Sequence, residues 1–398
     1  MNSSKNYAWP VTSINRNDFD AFEDWYRSNE KAIVGRVIYI WGAGIRGTEF
    51  ELFSRLFILK NIVFVDNNEE KWGGYINDRL IVSPAEAIDV VKKKNGIILI
   101  STEEDKEIKK QLQLYGLAEN VDYFSAGNRL YEKYIYEFQR EYNKKYLVMG
   151  DCEFSTISIN DKDKRNLGDI LKSKVGENNI KVLAMHGMGL RSQYSIARAL
   201  LDGGEVPVTF AIMINFDTLN GYQHLLPRSQ HEELLNSIYD IAPSKELCDY
   251  LKEVHKRREN IKVEFSVNRN TKNNFAKAKN YFMFNYMYKL DMKNEGIIYL
   301  KKLIEIMVKN NVKIVPFIPP VNFELARKIF GEEFDQRYQE NVNKINELVC
   351  SYGLKLLDLS YELDSLMFAE VDTPDETANE RGRYLISDKI IERMETLV

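Results

Sequence analysis

The sequence predicts an α/β protein made of two doubly wound parallel-sheet domains in tandem. Three observations carry that prediction. Short apolar runs of strand type alternate with long amphipathic segments along the chain, the pattern of parallel sheets covered by helices on both faces. A glycine-rich turn, Gly42-Ala-Gly44-Ile-Arg-Gly47, follows the first of these runs. The length, 398 residues, is too great for one typical domain and comfortable for two.

Composition narrows the partners. Hydrophobic residues make up 44% and charged residues 29%, enough to bury two cores. A net charge of −4 gives no basic surplus, so nucleic acid and anionic membranes are not expected as partners. The first residues lack a signal-type apolar core, and no run approaches the roughly 18 apolar residues of a membrane span. Cys152, Cys248 and Cys350 are odd in number and far apart, which argues against a disulfide framework and a CxxC metal site. A reducing, cytoplasmic setting is the expectation.

Residues 1–30 read as an extension and 31–125 as the first domain. Val37–Trp41 is a strand candidate, the glycine turn follows, and Thr48 to Leu56 continues with helical spacing. A second strand, "NIVFVD", ends in Asp66. Gly42 permits a tight turn, Gly44 lets the backbone approach a pyrophosphate, and Gly47 allows close helix–strand packing. The helix start offers free N–H groups to an anion. Asp66 lies about 20 residues on, where a carboxylate meets a ribose hydroxyl. "LIVSPAEAIDVVKKK", "GIILIST" and "EEDKEIKKQLQLYG" extend the alternation.

On "IWGAGIRG", "VFVDNNEEKWGG" and "LIVSPAEA", residues 35–125 resemble a Rossmann-like domain found attached to sugar-modifying and polysaccharide-biosynthesis proteins. The resemblance implies a nucleotide-type ligand, NAD or a nucleotide-sugar, held by Gly42, Gly44, Gly47 and Asp66. A nucleotide fold retained only to bind a partner is the other reading. No Tyr-x-x-x-Lys follows in the right context, so redox chemistry in this domain alone is not expected.

Residues 126–145 are charged and tyrosine-rich with helical periodicity, and read as a connecting helix whose aromatic stripe packs between the domains. From 146 to 398 the alternation resumes. The strand candidates are 146–150, 181–185, 208–215, 312–318 and 354–360, and the main helical segments are 189–202, 229–257, 294–310 and 334–351. Sites in such sheets form beyond the carboxyl ends of the strands. There the sequence sets Gly150-Asp151-Cys152-Glu153, His186-Gly187-Met188-Gly189, Asn215-Phe216-Asp217 and Pro319-Pro320-Val321-Asn322.

In this order the second domain is similar to the SGNH (GDSL-type) hydrolase and acyltransferase superfamily, a flavodoxin-like fold. "GDCE" stands where that family has Gly-Asp-Ser. Gly187 or Gly189 matches the glycine of the second block, and Asn215 matches the asparagine of the third. "NERGRYLI", with Asn379, Gly382 and Arg383, matches the tail of the last block, Asp-x-x-His-x-Asn-x-x-Gly-Arg. Cysteine replaces serine at Cys152. The histidine position falls on Thr377 and its aspartate on Pro374. Alternatively the frame is shifted to Asp375-x-x-Ala378, with alanine where a native histidine was lost or replaced. No histidine follows His255.

The resemblance implies acyl transfer or ester hydrolysis on a carbohydrate in surface-polysaccharide synthesis, with a donor such as acyl-CoA. Cys152 would be the nucleophile, His186 the base, and Gly187 or Gly189 with Asn215 the oxyanion donors. A helix start at Cys152 and a neighbouring imidazole would favour a thiolate; Asp151 and Glu153 oppose it. A looser likeness, to a capsule acetyltransferase family with Gly-Asn-Cys-Gln, points the same way. Bland readings stand beside each role. Cys152 is then a small buried thiol, His186 a satisfied strand-end histidine, Asn215 and Asp217 turn caps, and Asp375 and Thr377 caps near the last helix. Ser155 is an alternative hydroxyl. His224, His231 and His255 read as surface residues of an insert spanning 216–311. The aromatic stretch 280–292 in that insert suits a buried helix, a lid over the strand ends, or a homo-oligomer contact. A non-catalytic glycan-binding module and a nucleotide-sugar-modifying enzyme working through the first domain are the two alternative functions.

Overall fold

In the computed structural model the chain is described over residues 13–57, 59–102, 105–125, 127–185, 187–220, 231–260, 274–372, 374 and 377–398. It divides into two compact units, one through Lys133 and one from Tyr134. Both are α/β with helices flanking a largely parallel sheet.

The six-stranded sheet of the first unit consists of β1 (Val37–Trp41), β2 (Ile62–Val65), β3 (Tyr75–Ile76), β4 (Arg79–Val82), β5 (Gly96–Ile100) and β6 (Tyr123–Ser125). Their order is β3-β4-β2-β1-β5-β6, all parallel except the β3–β4 hairpin. Asn77 and Asp78, with φ of 48° and 63°, make the two-residue turn of that hairpin. Every residue of β5 is buried, as a sheet covered on both faces requires. Helix α1 (Arg16–Ile33) lies largely in the segment read as an extension, yet Phe22 and Trp25 are in the core. Phe22 packs on Phe50 and Phe53 of α2 (Ile45–Leu56). Helix α3 (Pro84–Lys92) opens with a capping box between Ser83 and Glu86, and Pro84 sits where its missing N–H costs nothing. Helix α4 (Asp105–Leu114) completes the cover. Helix α5 (Gly127–Gln139) runs across the division point.

The second unit has β7 (Tyr146–Gly150), β8 (Ile180–Ala184), β9 (Thr209–Met213), β10 (Lys313–Ile318) and β11 (Leu357–Asp358). The order is β8-β7-β9-β10-β11, all parallel. The first strand therefore lies second from the edge and the order reverses beside it, which makes its carboxyl end the topological switch point. On one face Tyr146, Val148, Ala211, Met213, Val315 and Phe317 pack against α6 (Leu167–Val175) and α14 (Glu380–Glu395). The other face carries α7 (Leu190–Asp202) and α11 (Glu295–Lys309), which pack on each other.

The insert holds α8 (Glu232–Ile241), α9 (Lys245–Asn260) and α10 (Asn274–Asn285). The segment expected as one helix over 229–257 breaks between α8 and α9, around Pro243, which lacks an N–H and clashes with the preceding turn. The aromatic stretch ends its helix at Asn285 rather than running to 292, and Phe282 and Tyr286 pack into a buried aromatic layer. Helix α12 (Phe323–Phe330), capped by Asn322, and α13 (Glu332–Ser351) follow β10. His231 was expected at the surface but is buried, 5% exposed, at the start of α8. His224 lies outside the described residues. Among the described residues no helix is long and apolar enough to cross a membrane.

Candidate functional site

The sheet register aligns the strand ends of the second unit. Gly150 pairs with Ala184, Met149 with Ile212, and Met213 with Phe317. The segments after β7, β8, β9 and β10 therefore leave the sheet at one rim.

The chain does not enter an α-helix after β7. Cys152–Phe154 form a single 3-10 turn, Thr156–Ser158 is extended, and α6 begins only at Leu167. The expectation that Cys152 opens a helix is corrected, and three residues supply too little dipole to hold a thiolate. The reason lies in Gly150 and Phe154. A Cβ on Gly150 would lie 2.5 Å from the Phe154 ring, so the glycine is what lets the phenyl fold back over the strand end. Cys152 itself is half-buried, and no disulfide engages it. Ser155 is 3% exposed, and its hydroxyl donates to the Cys152 carbonyl.

Asp151 and Asn215 do come together. Asn215 Nδ2 donates to Asp151 Oδ2 at 3.1 Å, and both residues are 2% exposed. Asp151 Oδ1 accepts the Glu153 N–H, and Asn215 Oδ1 accepts the Asp217 N–H. The Asn215 amide is thus oriented at both ends. One of its N–H bonds is committed to a carboxylate rather than to an open oxyanion position. The loop after Asn215 is tied from the insert, since the Tyr288 hydroxyl donates to Phe216 O at 2.8 Å and Asn294 Nδ2 to Leu219 O. Burial pushes the Tyr288 hydroxyl above its ordinary range, with the charge of Asp217 adding to the effect.

The second block forms a turn in which Met188 N–H bonds to Met185 O and Gly187 takes a φ of 72°. Gly189 caps α7 without a side chain. His186 lies outside the described residues, as does Asp375. Thr377 is 4% exposed, and its carbonyl accepts the Ala369 N–H. Ala378 is 7% exposed and packs in the same apolar cluster as Phe154, Phe317, Leu363 and Phe368. Ala378 therefore reaches the same side of the sheet as the cysteine turn and adds hydrocarbon there.

The match "NERGR" has a structural explanation. Asn379 caps α14 through Arg381 N–H and Gly382 N–H. A Cβ on Gly382 would lie 2.6 Å from Met367 O. Arg383, 1% exposed, pairs with Asp161 at 2.6 Å and donates to the carbonyls of Ala378, Asp163 and Arg165. Asp161 was not foreseen. It also accepts the N–H groups of Ser158 and Glu380, joining the loop before α6 to the start of α14. A second unforeseen group is a polar chain in which the buried Tyr338 donates to the buried Ser360, and Ser360 to the exposed Asp358. Burial holds the Tyr338 hydroxyl far above its usual range, and the carboxylates of Asp358 and Glu153 reinforce this. A tyrosine inside a long amphipathic helix reads only as core, so the sequence carried no signal for it.

In the first unit the glycine turn has the expected geometry. Gly42 takes a φ of 121°, and a Cβ on Gly47 would lie 1.9 Å from Gly42 O, so the close approach of helix to strand admits only glycine. A Cβ on Gly44, at the start of α2, would meet nothing within 4 Å. Asp66 is engaged by the turn itself. Its carboxylate accepts the N–H groups of Ala43 and Asn68 and pairs with Lys71 at 2.7 Å. Lys71 also donates to Ala43 O. A ribose hydroxyl reaching Asp66 would share it with that ammonium.

Among the described residues no group of His, Cys, Asp and Glu side chains is arranged to hold a metal ion. No protein-family model matches the chain. Among the curated proteins none matches it either.

Proposed function

We propose that the second unit transfers or hydrolyses an acyl group on a carbohydrate during surface-polysaccharide synthesis. In the same reading the first unit holds a nucleotide or nucleotide-sugar at Gly42–Gly47. The observation that carries the proposal is the Asn215–Asp151 bond beside the half-buried Cys152 at the switch point of the sheet.

The chemistry is thioester exchange. His186 takes the Cys152 thiol proton, and the sulfur attacks the acyl carbon of a donor. The carbonyl electrons collapse back and expel the donor's leaving group, which accepts the proton. A sugar hydroxyl, or water, then attacks the Cys152 thioester, gives its proton to the base, and releases the thiol. Backbone N–H groups at Gly187 or Gly189, with the Asn215 amide, would face the oxyanion.

One observation favours a second reading. Ala378, which takes the histidine position only in the shifted frame, packs into hydrocarbon, and this suits a module that binds a glycan without turning it over. Turnover of p-nitrophenyl acetate by the full chain separates the two. Cys152→Ala is expected to lower it by at least about a thousand-fold. Equal turnover by both proteins rejects Cys152. Absence of turnover together with glycan binding that survives Cys152→Ala supports the binding module.

A further inference from the structure

Helices α10, α12 and α13 enclose an open groove of about 570 Å³. Met283, Met287 and Phe330 contribute apolar surface to it, while Lys279, Lys289 and Arg337 line it with positive charge against one carboxylate, Glu333. The groove is thus net cationic on a chain whose overall charge is −4. Among the described residues Lys289 makes no ion pair, Lys279 lies over the Phe330 ring at 5.9 Å, and Arg337 meets only the exposed Glu340 at 3.6 Å. Exposed pairs of that kind contribute little, so the cations remain available to an anion. Unbranched methionines adapt to a flexible apolar chain.

The groove is joined through its helices to the segments that follow the strand ends. Helix α10 packs against the 3-10 turn that follows Asn215 and against α12, which follows Asn322. Behind Met283 the rings of Phe282, Phe334, Tyr338 and Phe216 touch in sequence, with centroids 5.6, 5.4 and 5.2 Å apart. A continuous aromatic layer therefore links two of the helices around the groove, α10 and α13, to the segment leaving β9.

We propose that this groove anchors a soluble, phosphate-bearing acyl carrier, its phosphates on Lys279, Lys289 and Arg337 and its apolar arm along Met283 and Met287. The inference rests on the acyl-transfer reading above, but its test reads binding alone. The probe is acetyl-CoA, titrated calorimetrically into the full-length Cys152→Ala protein. Two further backgrounds carry either Lys289→Glu with Arg337→Glu, or Gly44→Asp. The groove substitutions are at exposed positions. Gly44→Asp adds a carboxylate in open space at a helix cap, where aspartate is tolerated. The expected result is that affinity falls at least about tenfold with the groove reversals and is unchanged by Gly44→Asp. Loss caused only by Gly44→Asp assigns the phosphates to the glycine turn and overturns the proposal. No binding of acetyl-CoA to Cys152→Ala overturns it as well. So does binding of phosphatidylglycerol vesicles that the groove reversals abolish while acetyl-CoA affinity is untouched, since the anion is then a lipid headgroup. None of these outcomes depends on whether Cys152 is the nucleophile.

Discussion

Asn215 Nδ2 donates to Asp151 where β7 and β9 end, with both side chains almost fully buried. Changing Asn215 to Asp replaces that donor by a second carboxylate. Two like charges at hydrogen-bond distance repel, so the folded state resists the ionisation that the unfolded chain undergoes freely. At pH 7 we expect a stability loss of about 2–4 kcal/mol in denaturant titration. The gap should shrink as pH falls and one carboxyl protonates; a gap independent of pH would remove the electrostatic account of this contact. Arg383 makes the complementary case, because four of its bonds run to Asp161 and three carbonyls. Arg383→Ala leaves Asp161 buried without its cation and should cost about 3–5 kcal/mol in the same measurement. A cost under about 1 kcal/mol would mean that the clasp is an exposed pair in practice.

At the scale of elements, the edge of the second sheet is closed by the end of α5. Strand β8 is an edge strand, and edge strands need their unpaired backbone groups covered. Glu137 accepts the Val182 N–H, Arg140 donates to Ile180 O, and Lys181 Nζ donates to Phe138 O. Burial opposes ionisation of Glu137, but Arg140, Lys172 and the Val182 N–H together hold its carboxyl below the ordinary range. The unfolded chain therefore binds that proton more readily than the folded one. The stabilisation is complete above the usual glutamate value, about 4.3, and is lost as pH falls through the lower folded value. Glu137→Gln should lower the melting temperature at pH 7, and the difference from the wild type should narrow toward pH 3. A constant difference across that range would assign the effect to packing alone. Lys181, fully buried against Glu205, is pushed down by desolvation and marks the same edge.

At the scale of the whole molecule, the two sheets were legible because buried parallel strands are continuous apolar runs, and β5 and β7 are buried at every residue. The glycine turn was legible because Gly42 and Gly47 occupy positions that admit little else. Backbone register alone sets Gly150, Ala184 and Met213 level with one another at the strand ends. What followed β7 was not legible. Gly150-Asp151-Cys152-Glu153 has the look of a capped helix start, and only the Phe154 ring folded over Gly150 turns it into a 3-10 turn. The break at Pro243 and the Asn322 cap of α12 carried readable signals that the longer periodicities outweighed. The Arg383–Asp161 pair joins residues 222 apart in sequence, and no local pattern announces such a contact. The resemblance to the last block of the hydrolase family drew attention to Gly382 and Arg383, whose packing here is structural.

The central claim, that the sulfur of Cys152 is an acyl acceptor, is tested most directly by mapping where an acyl group lands. The full chain is treated briefly with p-nitrophenyl acetate, quenched in acid, digested and analysed by mass spectrometry. Solvent exposure alone would direct the label to Cys350, which is exposed, while Cys152 and Cys248 are half-buried. The account predicts an acetyl group on Cys152 ahead of both others; label on Cys350 with Cys152 unmodified would contradict it.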